Sequence, residues 1–185
     1  SHFIPYPPRG GAHQRSFNLL RLVSQRAEVF LVALNHEAHP QPRMAEYAHE
    51  LKKYCADVEV WDMPYRWRGL RWWAQLALSP TDQYPMGCRG RWSPELSARW
   101  SQVLERHRVS LIHFDAIDLA LYVPAAKGFR KVLNHHNCES AMVKRRAQLE
   151  RHPLKRKFLQ AEAAKLERLE RAVCAEFDAN VAVSE

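Results

Sequence analysis

Apolar positions along this chain alternate between two rhythms. From Ala12 to Ala27, residues Phe17, Leu20, Val23 and Ala27 fall three or four apart, the spacing of one helix face. The run Val29-Phe30-Leu31-Val32-Ala33-Leu34 is apolar without interruption and predicts a strand covered on both faces. Met44, Tyr47, Ala48, Leu51 and Cys55 return to helical spacing, and Val58-Glu59-Val60-Trp61 reads as the next strand. Pro94 predicts a helix start ahead of Leu96, Trp100, Val103 and Leu104. A strand at Val109–Phe114, a short helix through Leu119 to Lys127 and a strand at Lys131–His135 follow. A long charged helical region, interrupted at Pro153, carries Phe158, Leu159, Leu166, Leu169 and Val173 on one face. Asn180–Glu185 reads as a closing strand.

This alternation predicts an α/β fold: one domain over residues 1–185, right-handed crossovers, and a parallel sheet with helices on both faces. Only residues 63–93 break the rhythm. They are rich in aromatic and basic residues, including Tyr65, Arg66, Trp67, Arg68, Arg71, Trp72, Trp73, Tyr84, Arg89, Arg91 and Trp92, and read as an elaborated connection. Trp61 and Trp100 are expected in the core. In parallel sheets ligands bind at the carboxyl ends of strands, so the residues just after each strand are the candidates for chemistry.

The opening stretch, Phe3 to Leu20, reads as the tail of a strand, a glycine turn and a helix start. Glycine admits positive φ and a close anion, and unpaired N–H groups at a helix start face whatever lies ahead of them. Arg9, His13 and Arg15 add positive charge around Gly10 and Gly11. The bland alternative is a tight turn and nothing more. The spacing matches neither a P-loop nor a three-glycine dinucleotide fingerprint. A dinucleotide site also needs an acid about 20 residues on, where Leu34-Asn35-His36 stand and Glu37 comes late.

Composition sharpens this picture in three ways. A hydrophobic fraction of 46% with modest Gly and Pro marks a globular chain, and no apolar run approaches the roughly 18 residues of a membrane span. No secretion signal is visible, and the first residues already read as lying inside a strand, so a preceding segment is expected. A net charge of +8 and pI near 9.6 favour anionic partners: nucleic acid, acidic lipid or phosphorylated small molecules. Cys55, Cys88, Cys138 and Cys174 show no Cys-x-x-Cys spacing and read as small buried or half-buried residues of a reducing compartment.

With these residues in place the chain resembles a family. Ser1 to Gly11 with its basic helix start and Leu19-Leu20 looks like the opening of the N-terminal domain of two-domain, GT-B glycosyltransferases of the large retaining family 4. Val109–Phe114 resembles the strand before that domain's acceptor-side loop. His135-His136-Asn137-Cys138-Glu139-Ser140 resembles the family's His-Asn-x-Glu-Ser turn, and Phe177 to Glu185 resembles the passage into the second domain. The likeness covers nearly the whole chain through individually weak motifs in a specific order.

The resemblance implies a Rossmann-like, acceptor-side half of an enzyme that moves a sugar from a nucleotide-diphosphate sugar to a glycan or lipid-linked acceptor with retention, in polysaccharide or cell-envelope biosynthesis. The donor-binding C-terminal domain is not among these residues, so the isolated half is expected to be silent. No metal and no cofactor beyond the nucleotide sugar are expected, nor is nucleic acid; the implied setting is cytoplasmic, with peripheral contact to an anionic membrane at its inner face. Transfer needs the departing phosphate charge stabilised and an acceptor hydroxyl positioned. Gly10 and Gly11, with Arg9, His13 and Arg15, are assigned to the first need. Asp115, and behind it His113, are the candidate catalytic groups. His136, Asn137 and Glu139 are assigned to substrate contact.

The alternatives are structural. Asp115 or Asp118 could cap the following helix, Glu139 could complete a helix start, and Lys144-Arg145-Arg146 and Lys155-Arg156-Lys157 could be a solvated helix face. Two other functions stay open: a basic nucleic-acid-binding module, and a nicotinamide-dependent oxidoreductase on a similar sheet.

Overall fold

The computed structural model describes residues 1–64 and 70–182, apart from the side chains of residues 70–72 and 75. Tyr65, Arg66, Trp67 and Arg68 of the aromatic connection, and Val183, Ser184 and Glu185 of the closing strand, lie outside the described residues, as do the side chains of Arg71 and Trp72. The fold is α/β, with small, all-parallel sheets in two compact units, Ser1–Met63 and Pro64–Glu185.

In the first unit, α1 (Gly11–Val23), β1 (Phe30–Asn35), α2 (Gln41–Leu51) and β2 (Asp57–Asp62) follow the order that the periodicity predicts. β1 and β2 pair in parallel, from Phe30 beside Asp57 to Asn35 beside Asp62. α1 stops at Val23, short of Ala27, where the Ser24 hydroxyl turns back to donate to the Arg21 carbonyl. The expected strand tail at Phe3-Ile4 forms no strand. The Ser1 amino group donates to Val32 O at 2.6 Å and its carbonyl accepts from the Leu34 N–H at 3.1 Å, which moors the segment along β1 and buries Phe3 and Ile4. Ile4, Leu20, Ala33, Met44, Leu51, Cys55 and Val58 make the core, one residue or more from each element.

In the second unit, α3 (Leu70–Leu78) leads through a 3₁₀ turn at Ser79–Thr81 to α4 (Met86–Arg91) and α5 (Pro94–His107). Ser93 caps α5 by accepting from the Leu96 N–H at 3.2 Å, with Pro94 opening the first turn. Arg108, at φ 47°, turns the chain out of the helix, so β3 (Leu111–Phe114) starts two residues later than Val109. The helix expected over 119–127 is a 3₁₀ stretch, Ile117–Ala126. Pro124 inside it has no N–H to give an α-helical bond, and six buried apolar residues hold it in place. β4 (Arg130–Asn134), α6 (Glu139–Leu149), α7 (Pro153–Cys174) and β5 (Ala179–Val181) complete the unit, with sheet order β3-β4-β5.

Phe114 meets Phe177 edge-on at 5.3 Å and Trp100 at 6.2 Å. Trp61 is buried as expected, while Trp100 is only half-buried. The connection after Pro64 is anchored on α7. Glu162 accepts from the Ser79 hydroxyl at 2.8 Å and the Met86 N–H at 2.6 Å; Lys165 donates to the Ser79 carbonyl at 2.5 Å and to Glu162 at 2.7 Å. Further on, Arg89 grips Asp82 with two hydrogen bonds and lies over the rings of Tyr84 and Trp92. Burial works to raise the Asp82 carboxyl, but Arg89 and the Tyr84 N–H outweigh it and hold the group below its ordinary range.

Because Glu162 and Lys165 are both buried, removing one strands the other as an uncompensated charge. Lys165→Met is expected to destabilise the protein by about 3–5 kcal/mol, and adding Glu162→Leu to recover part of that loss. Urea denaturation of the two variants measures both effects.

Candidate functional site

Two clusters of polar side chains stand at strand carboxyl ends, one in each unit. In the first unit, the buried Asn35 ends β1, donates to the His39 carbonyl and to Asp62 Oδ1, both at 2.9 Å, and accepts from the His39 N–H at 2.8 Å. These bonds fix the loop between β1 and α2, in which Ala38 takes a left-handed conformation at φ 54°. The loop thereby holds Glu37 and His39 against a cavity of about 230 Å³, lined also by Phe3, Tyr6, Arg9, His13 and Arg43. Glu37 takes His39 Nε2 at 2.9 Å and lies 3.7 Å from His13 Nε2. His13 stacks on Phe3 with ring centres 4.1 Å apart, and Tyr47 meets both His39 and Tyr6 edge-on.

The cavity brings together Arg9 and His13 of the residues expected at the glycine turn. Gly10, at φ 86°, precedes α1 as its cap residue, and Gly11 is the first helical residue; α1 has neither a side-chain cap nor an acid in its first turn. Arg15 is half-buried one turn along α1 and does not line the cavity. His39 and Arg43 escaped the sequence reading, which took Tyr47 for part of an apolar helix stripe, although the i, i+4, i+8 spacing of the three places them on one side of the approach to α2. Two arginines, Arg9 and Arg43, and three histidines, His13, His36 and His39, around the Glu37 carboxylate make the cavity suited to an anionic or polyhydroxylated ligand.

In the second unit, Asp115 follows β3 and is buried, accepting from Asn134 Nδ2 at 3.1 Å. Asn134 ends β4 and is fully buried. His136 Nε2 lies 3.3 Å from the same Asp115 oxygen, a distance at which the imidazolium form pairs with the carboxylate. His113 is exposed within β3, beside Val132. Asp118 pairs with Arg91 at 3.2 Å, and the residue at the cap position of the 3₁₀ stretch is Ala116, whose side chain has no acceptor to give. Asn134 was missed because it lies in a run that reads as a strand, while Arg91 was read only as one of the cations of the aromatic and basic connection.

Asn137 is exposed and donates to Glu139 Oε1 at 3.4 Å. Glu139 opens α6, but the capping is done from α7, where Glu170 accepts from the Ser140 N–H at 3.1 Å and closely from its hydroxyl. Burial raises the Glu139 carboxyl above its ordinary value, and the negative charges of Asp118 and Glu170 add to this against the Asn137 bond and His136. Burial also pushes the Cys55 thiol up to about 12 and raises Cys88 and Cys174, so these thiols are poor nucleophiles. Cys138 departs from the expectation of buried cysteines, since it is exposed.

Comparison with known protein families, characterised proteins and solved structures finds no match for this chain.

The glycines of the turn differ in conformation, although a Cβ at either meets nothing within 4 Å. Gly10→Ala is expected to cost about 1–3 kcal/mol because its φ suits glycine alone, whereas Gly11→Ala is expected to be neutral or stabilising by up to about 0.5 kcal/mol. Thermal melting of the two variants separates them. The raised Glu139 makes its ionised form a cost to the folded state. That state is favoured below the ordinary value of 4.5 and loses this advantage as pH rises through the folded value. Glu139→Gln is therefore expected to raise Tm near pH 8 and to leave it nearly unchanged near pH 4, read by melting across that range.

Proposed function

We propose that this chain is the acceptor-side half of a retaining glycosyltransferase resembling family 4, on a Rossmann-like framework. It binds a sugar acceptor or the phosphates of a nucleotide-diphosphate sugar, for building a glycan or lipid-linked product at the cytoplasmic side of a membrane. The observation that carries this reading is the cavity beside the glycine turn. Arg9, Arg43 and the histidines offer donors and positive charge to phosphate or sugar hydroxyls, and the half-buried Tyr47 offers ring surface to a sugar. Glu37 supplies the acceptor that the sugar's hydroxyls require. In the second unit, Asp115 with Asn134 and His136 has the make-up of a proton-handling group at a strand end. Asp115 is the candidate base, His136 its partner, and Asn134 the residue that fixes the carboxylate. On this reading turnover also requires a donor-binding domain, and the 185-residue chain by itself is expected to bind without catalysing.

One observation favours a second reading. Glu37 lines the same cavity as Arg9 beside the glycine turn, which is where a ribose-binding acid of a nicotinamide enzyme would stand. Against it, one Glu37 oxygen is taken by His39 and the other lies near His13.

Thermal denaturation with candidate ligands tests both. Nucleotide sugars or sugar phosphates are expected to raise Tm saturably, by about 2.7 kcal/mol of stabilisation at a hundredfold excess over Kd. Arg43→Ala is expected to weaken that binding about tenfold, the loss of roughly one charged hydrogen bond. Stabilisation by NAD and not by nucleotide sugars would move the assignment to the oxidoreductase. Steeply salt-dependent binding of unrelated oligonucleotides would move it to a nucleic-acid module.

A further inference from the structure

Away from both clusters, α6 and α7 form an antiparallel hairpin, since Ser140 at the start of α6 is bonded to Glu170 near the end of α7. Its far end carries two leucines that a folded domain ordinarily covers. Leu149, the last residue of α6, is 83% exposed, and Leu154, in the first turn of α7, is 72% exposed. Only the three residues 150–152 separate the two helices. Around this apolar tip stand Lys144, Arg145, Arg146 and Arg151 on one side and Lys155, Arg156 and Lys157 on the other, all exposed. Glu150 is the one acid between Met142 and Ala161, and its carboxylate is turned back to accept from the His152 N–H at 2.9 Å.

We infer that this hairpin tip is a docking surface for an anionic phospholipid membrane, with Leu149 and Leu154 entering the headgroup boundary and the seven cations resting on lipid phosphates. The combination selects this partner. Cations alone would suit any polyanion, but leucines in their midst gain only where a phosphate layer lies over an apolar one. A nucleic acid would leave both leucines in water, and the tip has no Phe, Tyr or Trp at residues 149–157 on which a base could stack. The inference stands without the transferase reading, because it uses none of the residues of either cluster.

Flotation of the full chain with vesicles tests it, using phosphatidylcholine alone and mixed with phosphatidylglycerol. Binding is expected with the mixed vesicles only. It is expected to fall at least about tenfold in Leu149→Ser/Leu154→Ser and in Lys155→Glu/Arg156→Glu/Lys157→Glu, and to rise in Leu149→Phe/Leu154→Phe. All five positions are exposed, so Tm should hold; the phenylalanine variant, as a gain, reads the surface even if one of the others misfolds. Three results would overturn the proposal: equal binding to both vesicles or to neither, anionic binding that the leucine substitutions leave unchanged, or tighter binding to duplex oligonucleotide than to the mixed vesicles.

Discussion

The second unit is organised by a buried ion pair. Glu162 and Lys165 sit one turn apart on α7, both nearly inaccessible, and between them they engage the Ser79 hydroxyl and carbonyl and the Met86 N–H. Two charges taken out of water are tolerable only when each is paired and further hydrogen-bonded, and this network meets that condition by recruiting the backbone of a distant segment. It fixes the 3₁₀ turn and the start of α4 against the long helix. From there Arg91 reaches Asp118, and Tyr122 donates to the Arg91 carbonyl at 2.7 Å, so the placement of α4 is passed on to the residues after β3.

The two polar clusters differ in their electrostatics, and each follows from its neighbours. In the first unit a single carboxylate, Glu37, is surrounded by histidines and arginines at a cavity. In the second, Asp115, Asp118 and Glu139 gather at the ends of parallel strands, with Arg91 and His136 as the compensating groups. The raised Glu139 is the residue on which that crowding of negative charge falls. An acid whose ionisation is opposed by burial and like charge is a frequent mark of a binding or catalytic surface, and Glu139 stands three residues from His136 in the same His-Asn-x-Glu stretch that the sequence reading singled out.

Much of the secondary structure was legible because hydrophobic period reports burial directly. The strand at Phe30–Asn35 is the clearest case: a continuous apolar run with no alternation could only be a covered strand or a buried helix, and six residues decide for the strand. The break at Pro153 was equally plain, with α7 opening at that proline. Where the reading slipped, a local backbone feature had no hydrophobic signature. Arg108 in a left-handed conformation shortened β3, and Pro124 converted a helix to a 3₁₀ stretch.

The order of strands and helices, the glycine turn with its positive φ, and the polar residues at strand ends were determined by the sequence itself, since each is a property of neighbours along the chain. The pairings were decided by the tertiary structure. That Glu37 would meet His39 and His13, that Asn134 would hold Asp115, that Glu170 rather than Glu139 would serve the start of α6, and that Lys165 would reach Ser79 across more than eighty residues depended on which elements pack together. Period in a sequence says which face of an element is buried. It carries no information on which other face covers it, and hydrogen bonds and charge pairs form only after that choice is made.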